Sequence, residues 1–354
     1  MPSITNCQAV LYRKRAEDRP PLPDHRRNLE LIGIWAQTLD SEQFLLFDDG
    51  QDNKILGFAT IECLTALCES NTIFMDGTFK VVPKLFYQLY TLHGFYRQLM
   101  VPYIFILLPD KTKETYVRMF NLIILNAARI GKSFNPPKFQ LDYENATISA
   151  VEEVFPNAEI KGCLFHFTQC IFRKLQNVGL QRYSHDMAVR NVYKSMGALA
   201  PVPLDRLDEA WLLIAAESPS PGDAHYEQIQ KLKDYFVDTW LSEDSRIPPK
   251  LWNHHGNFAA RTTNHVEGWH NRLQRNIKIT RPNIFVLITH LKNEEQYYKT
   301  QMALVRAGNP PPRLNRMYVK INTCIMKLHA DLESGEASLL DFIHAVSYNL
   351  NFQE

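Results

Sequence analysis

The sequence predicts an α/β fold: a mixed sheet with the element order β-β-β-α-β-α-β-α, interrupted by an all-helical insertion and followed by a helical C-terminal region. Three observations lead there. Short apolar runs rich in aromatic and β-branched residues succeed one another from Thr72 to Leu108, bounded by Pro83, Gly94 and Pro109. Helix-spaced apolar residues then alternate with short strands as far as Gly179. From Thr168 to about Trp252 no convincing strand pattern appears, and Pro201, Pro203, Pro219, Pro221, Pro248 and Pro249 punctuate segments with helical spacing.

Taken in order, residues 1–53 are proline-spotted and mixed, with Pro20-Pro21-Leu22-Pro23 inside a charged stretch, and read as a lead-in that drapes over the core. Strands are expected at Thr72–Val82, Phe86–Gly94 and Val101–Leu108, joined by short turns as an antiparallel meander. Tyr116, Val117, Phe120, Ile123, Ile124 and Ala127 make 113–130 a helix, with Gly131 placed to cap it. A strand (138–141), a helix (144–154, stopped by Pro156), a strand (158–163) and a helix (164–178, stopped by Gly179) complete the series. Segments 207–216 and 226–240 read as helices of the insertion. Val266, Trp269, Leu273 and Ile277 then stripe an amphipathic helix over 264–278. The expected organisation is a lead-in (1–70), a first core part (71–179), the insertion (180–255), core completion (256–295) and a helical tail (296–354).

Composition narrows the function. Of 354 residues, 45% are hydrophobic and 22% charged, which excludes disordered and low-complexity classes. The most apolar window, Val101 to Leu108, stops at Pro109-Asp110, too short to span a bilayer, so no membrane role is expected. Arg13, Lys14 and Arg15 lead into Asp18 rather than an apolar segment, which argues against secretion. The six cysteines lack framework spacing and read as free thiols. The formal net charge of +1 hides an asymmetry: residues 261–330 hold 12 Lys and Arg against 3 Asp and Glu. A smaller basic stretch spans 161–194, whereas 195–250 is acidic. Such a basic segment is either a solvated surface or a face for a polyanion.

Three acids occupy positions that this element order makes interesting. Asp76 sits inside an apolar run, where an ionised carboxylate is costly unless paired or bound to metal. A strand-edge acid beside a Gly77 bulge is the plain alternative. Asp142 follows the strand 138–141, where helix capping would also account for it. Glu267 lies one turn into the 264–278 helix, where a solvated acid is the simple reading. An acid in strand one, another ending strand four and a third on a late helix is the layout of the ribonuclease H-like fold, with strands one and four adjacent. Carboxylates converging there would hold two divalent cations about 3.5–4 Å apart, the arrangement for phosphodiester displacement. Oxygen ligands suit Mg²⁺ or Mn²⁺.

On these residues the chain resembles the Mutator-like element (MULE) transposases of the DDE class. The matching segments are Met75-Asp76-Gly77-Thr78-Phe79-Lys80, the run from Tyr87 to Gly94, the run from Val101 to Lys111, and Gln140-Leu141-Asp142-Tyr143-Glu144-Asn145-Ala146. They continue with Lys161 to Gln169 and with Thr263 to Asn271. The resemblance is strong over 71–179 and 252–291. It implies that Asp76, Asp142 and Glu267 are the catalytic and metal-binding acids, that two Mg²⁺ or Mn²⁺ ions are the cofactors, and that the insertion is a family trait. It implies a nuclear enzyme that forms homo-oligomers during transposition and acts on transposon ends and target DNA. Metal-activated water would cut a phosphodiester, and the freed 3′-hydroxyl would attack the target. The family's separate N-terminal DNA-recognition module has no counterpart in finger-spaced Cys and His here, so end recognition is expected to have moved to the basic helices, unless the copy is truncated or host-adopted.

Cys163-x-x-His166 matches the family's C-x-x-H motif, a thiol and an imidazole one turn apart at a strand-to-helix junction. Structural zinc wants four ligands, and no second pair suggests itself. A contact from His166 to DNA or to an active-site acid, or plain core packing, is expected instead, with Cys170 buried as a small hydrophobe. DNA contacts are expected from Arg272, Arg275 and Lys278 on the outer side of the Glu267 helix, from His270 on its polar side and His265 near its N-terminus, and from Arg173 and Lys174. The competing readings are a host-adopted, non-catalytic DNA-binding or regulatory protein and a general ribonuclease H-like nuclease.

Overall fold

The computed structural model describes residues 20–50, 52–257, 261–310 and 316–349; residues 1–19 of the expected lead-in and 350–354 of the expected tail lie outside them. One seven-stranded mixed sheet organises the molecule, in the order β1-β2-β5-β4-β3-β6-β7. The strands are β1 (Leu45–Asp48), β2 (Leu56–Phe58), β3 (Thr72–Thr78), β4 (Gln88–Tyr96), β5 (Leu99–Leu108), β6 (Lys138–Leu141) and β7 (Glu159–Gly162). The expected meander is present as β3, β4 and β5, antiparallel throughout. Arg97 and Gln98 join β4 to β5, both with positive φ (45° and 71°), as a two-residue hairpin loop whose twist matches its strands demands.

Before Thr72 the structure departs from the expectation. Residues 45–70 are not a lead-in: β1 pairs with β2, β2 pairs with β5, and helix α1 (Ile61–Cys68) packs against β5 and β4. Their brevity is the reason, since strands of four and three residues carry no readable alternation. The first expected strand also ends early, at Thr78 rather than Val82.

On the other side of β3 the chain crosses over through α2 (Lys113–Arg129) to β6 and through α3 (Asn145–Val154) to β7, both parallel to β3. Strand pleating puts alternate residues on opposite faces. Tyr90 meets Tyr116 of α2, and Phe139 packs with Phe120 and Phe155, which assigns α2 and α3 to one face. Asp76, Thr91 and Phe105 belong to the other, covered by α9 (Asn264–Ile277) and α10 (Ile284–Arg306).

Between these halves run α4 (Leu164–Asn177), α5 (Met187–Ala198), α6 (Leu207–Ala216), α7 (Tyr226–Phe236), a π-helical turn (Val237–Leu241) and α8 (Pro249–Trp252); the described residues of this stretch contain no strand. Phe167 of α4 stacks on Trp252 at 4.7 Å and meets Trp240 edge-on, so the insertion is anchored by large buried rings rather than hung on a linker. Helices α11 (Arg316–Ser334) and α12 (Leu339–Asn349) close the chain, α12 against α5 and α6.

Candidate functional site

Parallel pairing of β3 with β6, in register at Phe74 and Gln140, puts their C-terminal ends on one edge of the sheet. Two residues beyond that pair stand Asp76 and Asp142. Glu267 arrives from the other side of the chain, on the first turn of α9. All three line one cavity of about 640 Å³, together with His166, Gln169 and Asn271. The N-cap position of α3 is held by Glu144 rather than Asp142, and Glu267 lines the cavity with 26% of its side chain exposed.

Helix α9 owes its position to four buried residues at helical spacing and one ring in particular. Trp269 stacks on Phe105 at 5.4 Å, meets His93 edge-on, and donates its indole N–H to Glu294 at 2.7 Å. Its truncation to Ala would cost about 3–5 kcal/mol. The N-terminus of α9 is fastened separately. Thr263 donates both its backbone N–H and its hydroxyl to the buried Cys163 sulfur, each at 3.2 Å. Leu164 donates its N–H to Arg261 O at 3.0 Å, and Gln140 donates to Gly162 O at 2.7 Å.

Two imidazoles lie among the acids. His166 stands between Asp142 (Nδ1 to Oδ1, 3.3 Å) and Glu267 (Nε2 to Oε1, 3.0 Å). Burial disfavours its charged form, but a hydrogen bond with Cys163 and the two carboxylates outweigh that, and its pKa is pushed up to about 11. His270 Nδ1 lies 3.2 Å from Asp76 Oδ2, and its Nε2 lies 3.2 Å from Thr91 Oγ1, which also contacts His93 Nε2 at 2.9 Å. Backbone donors finish the carboxylates: Gly77 N–H to Asp76 at 2.8 Å, and Tyr143 N–H to Asp142 at 2.6 Å. Gly162 keeps this corner compact, because a Cβ there would fall 2.1 Å from the Tyr143 ring.

The residues expected to meet DNA divide into two groups. Arg275 and Lys278 are exposed on the outer side of α9, and Arg173 is exposed on α4. Three others differ from expectation. His270 is 7% exposed and faces the sheet, because it falls one turn after Val266 on the buried stripe. Arg272 is half-buried: it pairs with Glu294, donates to Tyr298 Oη at 3.1 Å and lies over the rings of Tyr297 and Tyr298. Lys174 sits over the Tyr235 ring at 4.9 Å. His265 is exposed near the start of α9, against Phe95.

Lys80, Gln169, Asn271 and Glu144 also line the cavity, and the sequence pattern does not single them out. Helical spacing offers a signal for two of them, since Gln169 is three residues beyond His166 and Asn271 four beyond Glu267. Cys163 and His166 are both engaged within the protein: the sulfur accepts from Thr263, and the imidazole lies between Asp142 and Glu267. Among the described residues no helix is long and apolar enough to cross a membrane.

Fold and site together define an α/β protein whose acidic cleft is built from neighbouring strand ends and a late helix. The comparison with known families makes this specific: residues 72–170 match the model of the MULE transposase domain. No curated protein matches the chain. The matched segment contains Asp76, Asp142, Cys163 and His166, and stops short of Glu267.

Proposed function

We propose that the chain is a DDE transposase with a ribonuclease H-like core, cutting DNA and transferring the freed strand, with Asp76, Asp142 and Glu267 as its catalytic acids. The observation that carries this is the placement of the three carboxylates around one cleft, two of them in the segment that matches the MULE transposase domain and Glu267 from beyond the helical insertion.

The donor set is of the kind that hard divalent cations such as Mg²⁺ or Mn²⁺ take, although among the described residues the three carboxylates are not drawn around a common point and His166 lies between two of them. The set consists of carboxylate oxygens, and Glu267 Oε1 is buried without an aligned hydrogen-bond donor even though His166 is near. When bound, such ions supply positive charge at the entering and leaving oxygens of a phosphodiester. The chain's own residues do the positioning. His270 orients Asp76, His166 spaces Asp142 from Glu267, and Lys80 at the cleft rim meets a phosphate, while Gln169 and Asn271 offer amide donors. Acting on genomic DNA, the enzyme would work in the nucleus, and holding two element ends for transfer to one target would require a homo-oligomer.

The test is DNA cleavage by purified chain with Mg²⁺ or Mn²⁺. Asp76→Ala, Asp142→Ala and Glu267→Ala should each lower the rate by about 10²-fold or more while the protein stays folded. Cleavage that survives all three unchanged would overturn the reading. DNA binding without any cleavage by the parent would favour the non-catalytic alternative, and turnover of RNA–DNA hybrids alone the nuclease one.

A further inference from the structure

Beside the acidic cleft lies a second cavity of about 570 Å³, walled by the segment that joins β3 to β4, by residues 24–26 and by Arg281 of the α9–α10 turn. Phe79 lines both cavities, so they meet at its ring. Phe79 and Tyr87 are 49% and 46% exposed and stand edge to face with centroids 5.4 Å apart. Two large rings left this open at the mouth of a cavity offer flat faces to a ligand.

The charges around them specify which ligand. Lys84 and Arg281 are exposed and Arg26 half-buried at the second cavity, where Asp24 is the one acid among the described lining residues, and Lys80 is exposed on the side shared with the cleft. The platform is braced. Arg281, at φ 52°, donates its backbone N–H to Lys80 O at 3.0 Å, and Arg26 donates to Pro109 O at 3.3 Å. Half-exposed rings, surrounded by cations, suit a polyanion that carries aromatic groups, that is, a nucleic-acid strand. In a duplex each base already has both faces stacked. Away from a duplex end, therefore, a base that lies on a protein ring is unpaired or extruded.

We propose that Phe79 and Tyr87 form a stacking platform for an unpaired nucleotide next to the phosphate held at the cleft, with Lys80, Lys84 and Arg281 on the flanking phosphates. This rests on the reading of the cleft as the DNA-cutting site, since that places a strand at Phe79. The protein therefore binds single-stranded or locally opened DNA at this point.

The experiment uses the full chain without divalent metal, so that it is independent of cleavage. A single-stranded oligonucleotide carrying 2-aminopurine is titrated and its fluorescence and affinity are read. The parent should change the probe's emission on binding. Phe79→Ala/Tyr87→Ala should abolish that change and weaken single-strand binding by roughly 10- to 100-fold, as expected for stacked bases, with duplex affinity and melting temperature kept. Phe79→Trp should retain the fluorescence change. Parent-like affinity and emission in the double alanine variant would overturn the proposal. A loss equal for duplex and single strand would overturn it too, since it would mark a general backbone contact. Failure of the three acids in the cleavage test would leave these readings unaltered, so the two ideas fail separately.

Discussion

Thr263 donates two hydrogen bonds to the buried sulfur of Cys163, one hundred residues earlier in the chain. Through this pair the strand end that precedes His166 grips the start of the helix that carries Glu267. The pair explains why a thiol precedes the imidazole in the C-x-x-H motif: sulfur is the acceptor for a helix N-terminus, and the imidazole one turn later reaches the acids.

Removing that acceptor should be felt twice. Cys163→Ala leaves the N–H and hydroxyl of Thr263 buried without a partner, at a cost of about 1–3 kcal/mol in a denaturant melt. By loosening α9 it should also lower cleavage more than the stability loss alone does. Cys163→Ser, which still accepts, should recover most of both. Equal behaviour of the two variants would show that the sulfur is only filler.

The corner at Gly162 makes a steric prediction. In Gly162→Ala the new methyl meets the Tyr143 ring, which itself abuts Trp240 at 5.0 Å and follows Asp142 in the chain. Overpacking should destabilise the protein by about 1–3 kcal/mol. Adding Tyr143→Leu should restore part of that stability, read as a non-additive double-mutant cycle.

Acidification should unfold the protein partly through His254. Burial, against which its hydrogen bond to Gly162 O (2.9 Å) works, and the neighbouring charges of Lys161, Arg261 and Lys138 bring its pKa down to about 3. An unfolded histidine titrates near 6.5. Between those values the unfolded chain binds a proton that the folded chain refuses, so stability rises with pH through this window and falls as pH drops through it. Burial also lowers His93 and brings His329 down to about 4, in the same sense. His254→Gln should flatten the stability slope between about pH 6 and pH 4 by up to about 1.4 kcal/mol per unit. An unchanged slope would remove His254 from the account.

Salt dependence should separate the basic residues of α9. Arg275→Gln with Lys278→Gln should reduce the log–log slope of duplex binding by up to about two units without changing stability. Arg272→Gln should instead lower the melting temperature, because it leaves Glu294 and Tyr298 without their cation. A fall in slope from Arg272→Gln alone would reverse the assignment.

How much of the fold and site is legible in the sequence depends on how local each signal is. The strands β3 to β5 are visible because apolar runs end at proline or glycine, and α9 because Val266, Trp269, Leu273 and Ile277 repeat at helical spacing. His270 shares that stripe, but an imidazole among apolar residues suggests the polar side unless its buried partners, Asp76 and Thr91, are known. The partners of Arg272, Glu294 and Tyr298, lie on the next helix, and no helical wheel shows them. Strands β1 and β2 are shorter than any pattern that could announce them. The three acids are legible as positions in an element order, whereas the histidines between them and the sulfur under Thr263 depend on contacts between distant parts of the chain.

The Cys163 to Thr263 contact also sets a clock on the ribosome. A nascent chain that has emerged as far as α4 already owns β3, β6 and two of the clustered acids, yet it lacks the third until the whole insertion and the first turn of α9 have been made. Contacts of such long separation close late in folding. The cleft is thus completed only after the insertion has been made, and a fragment cut short before residue 263 would lack both its third acid and the helices that cover one face of the sheet.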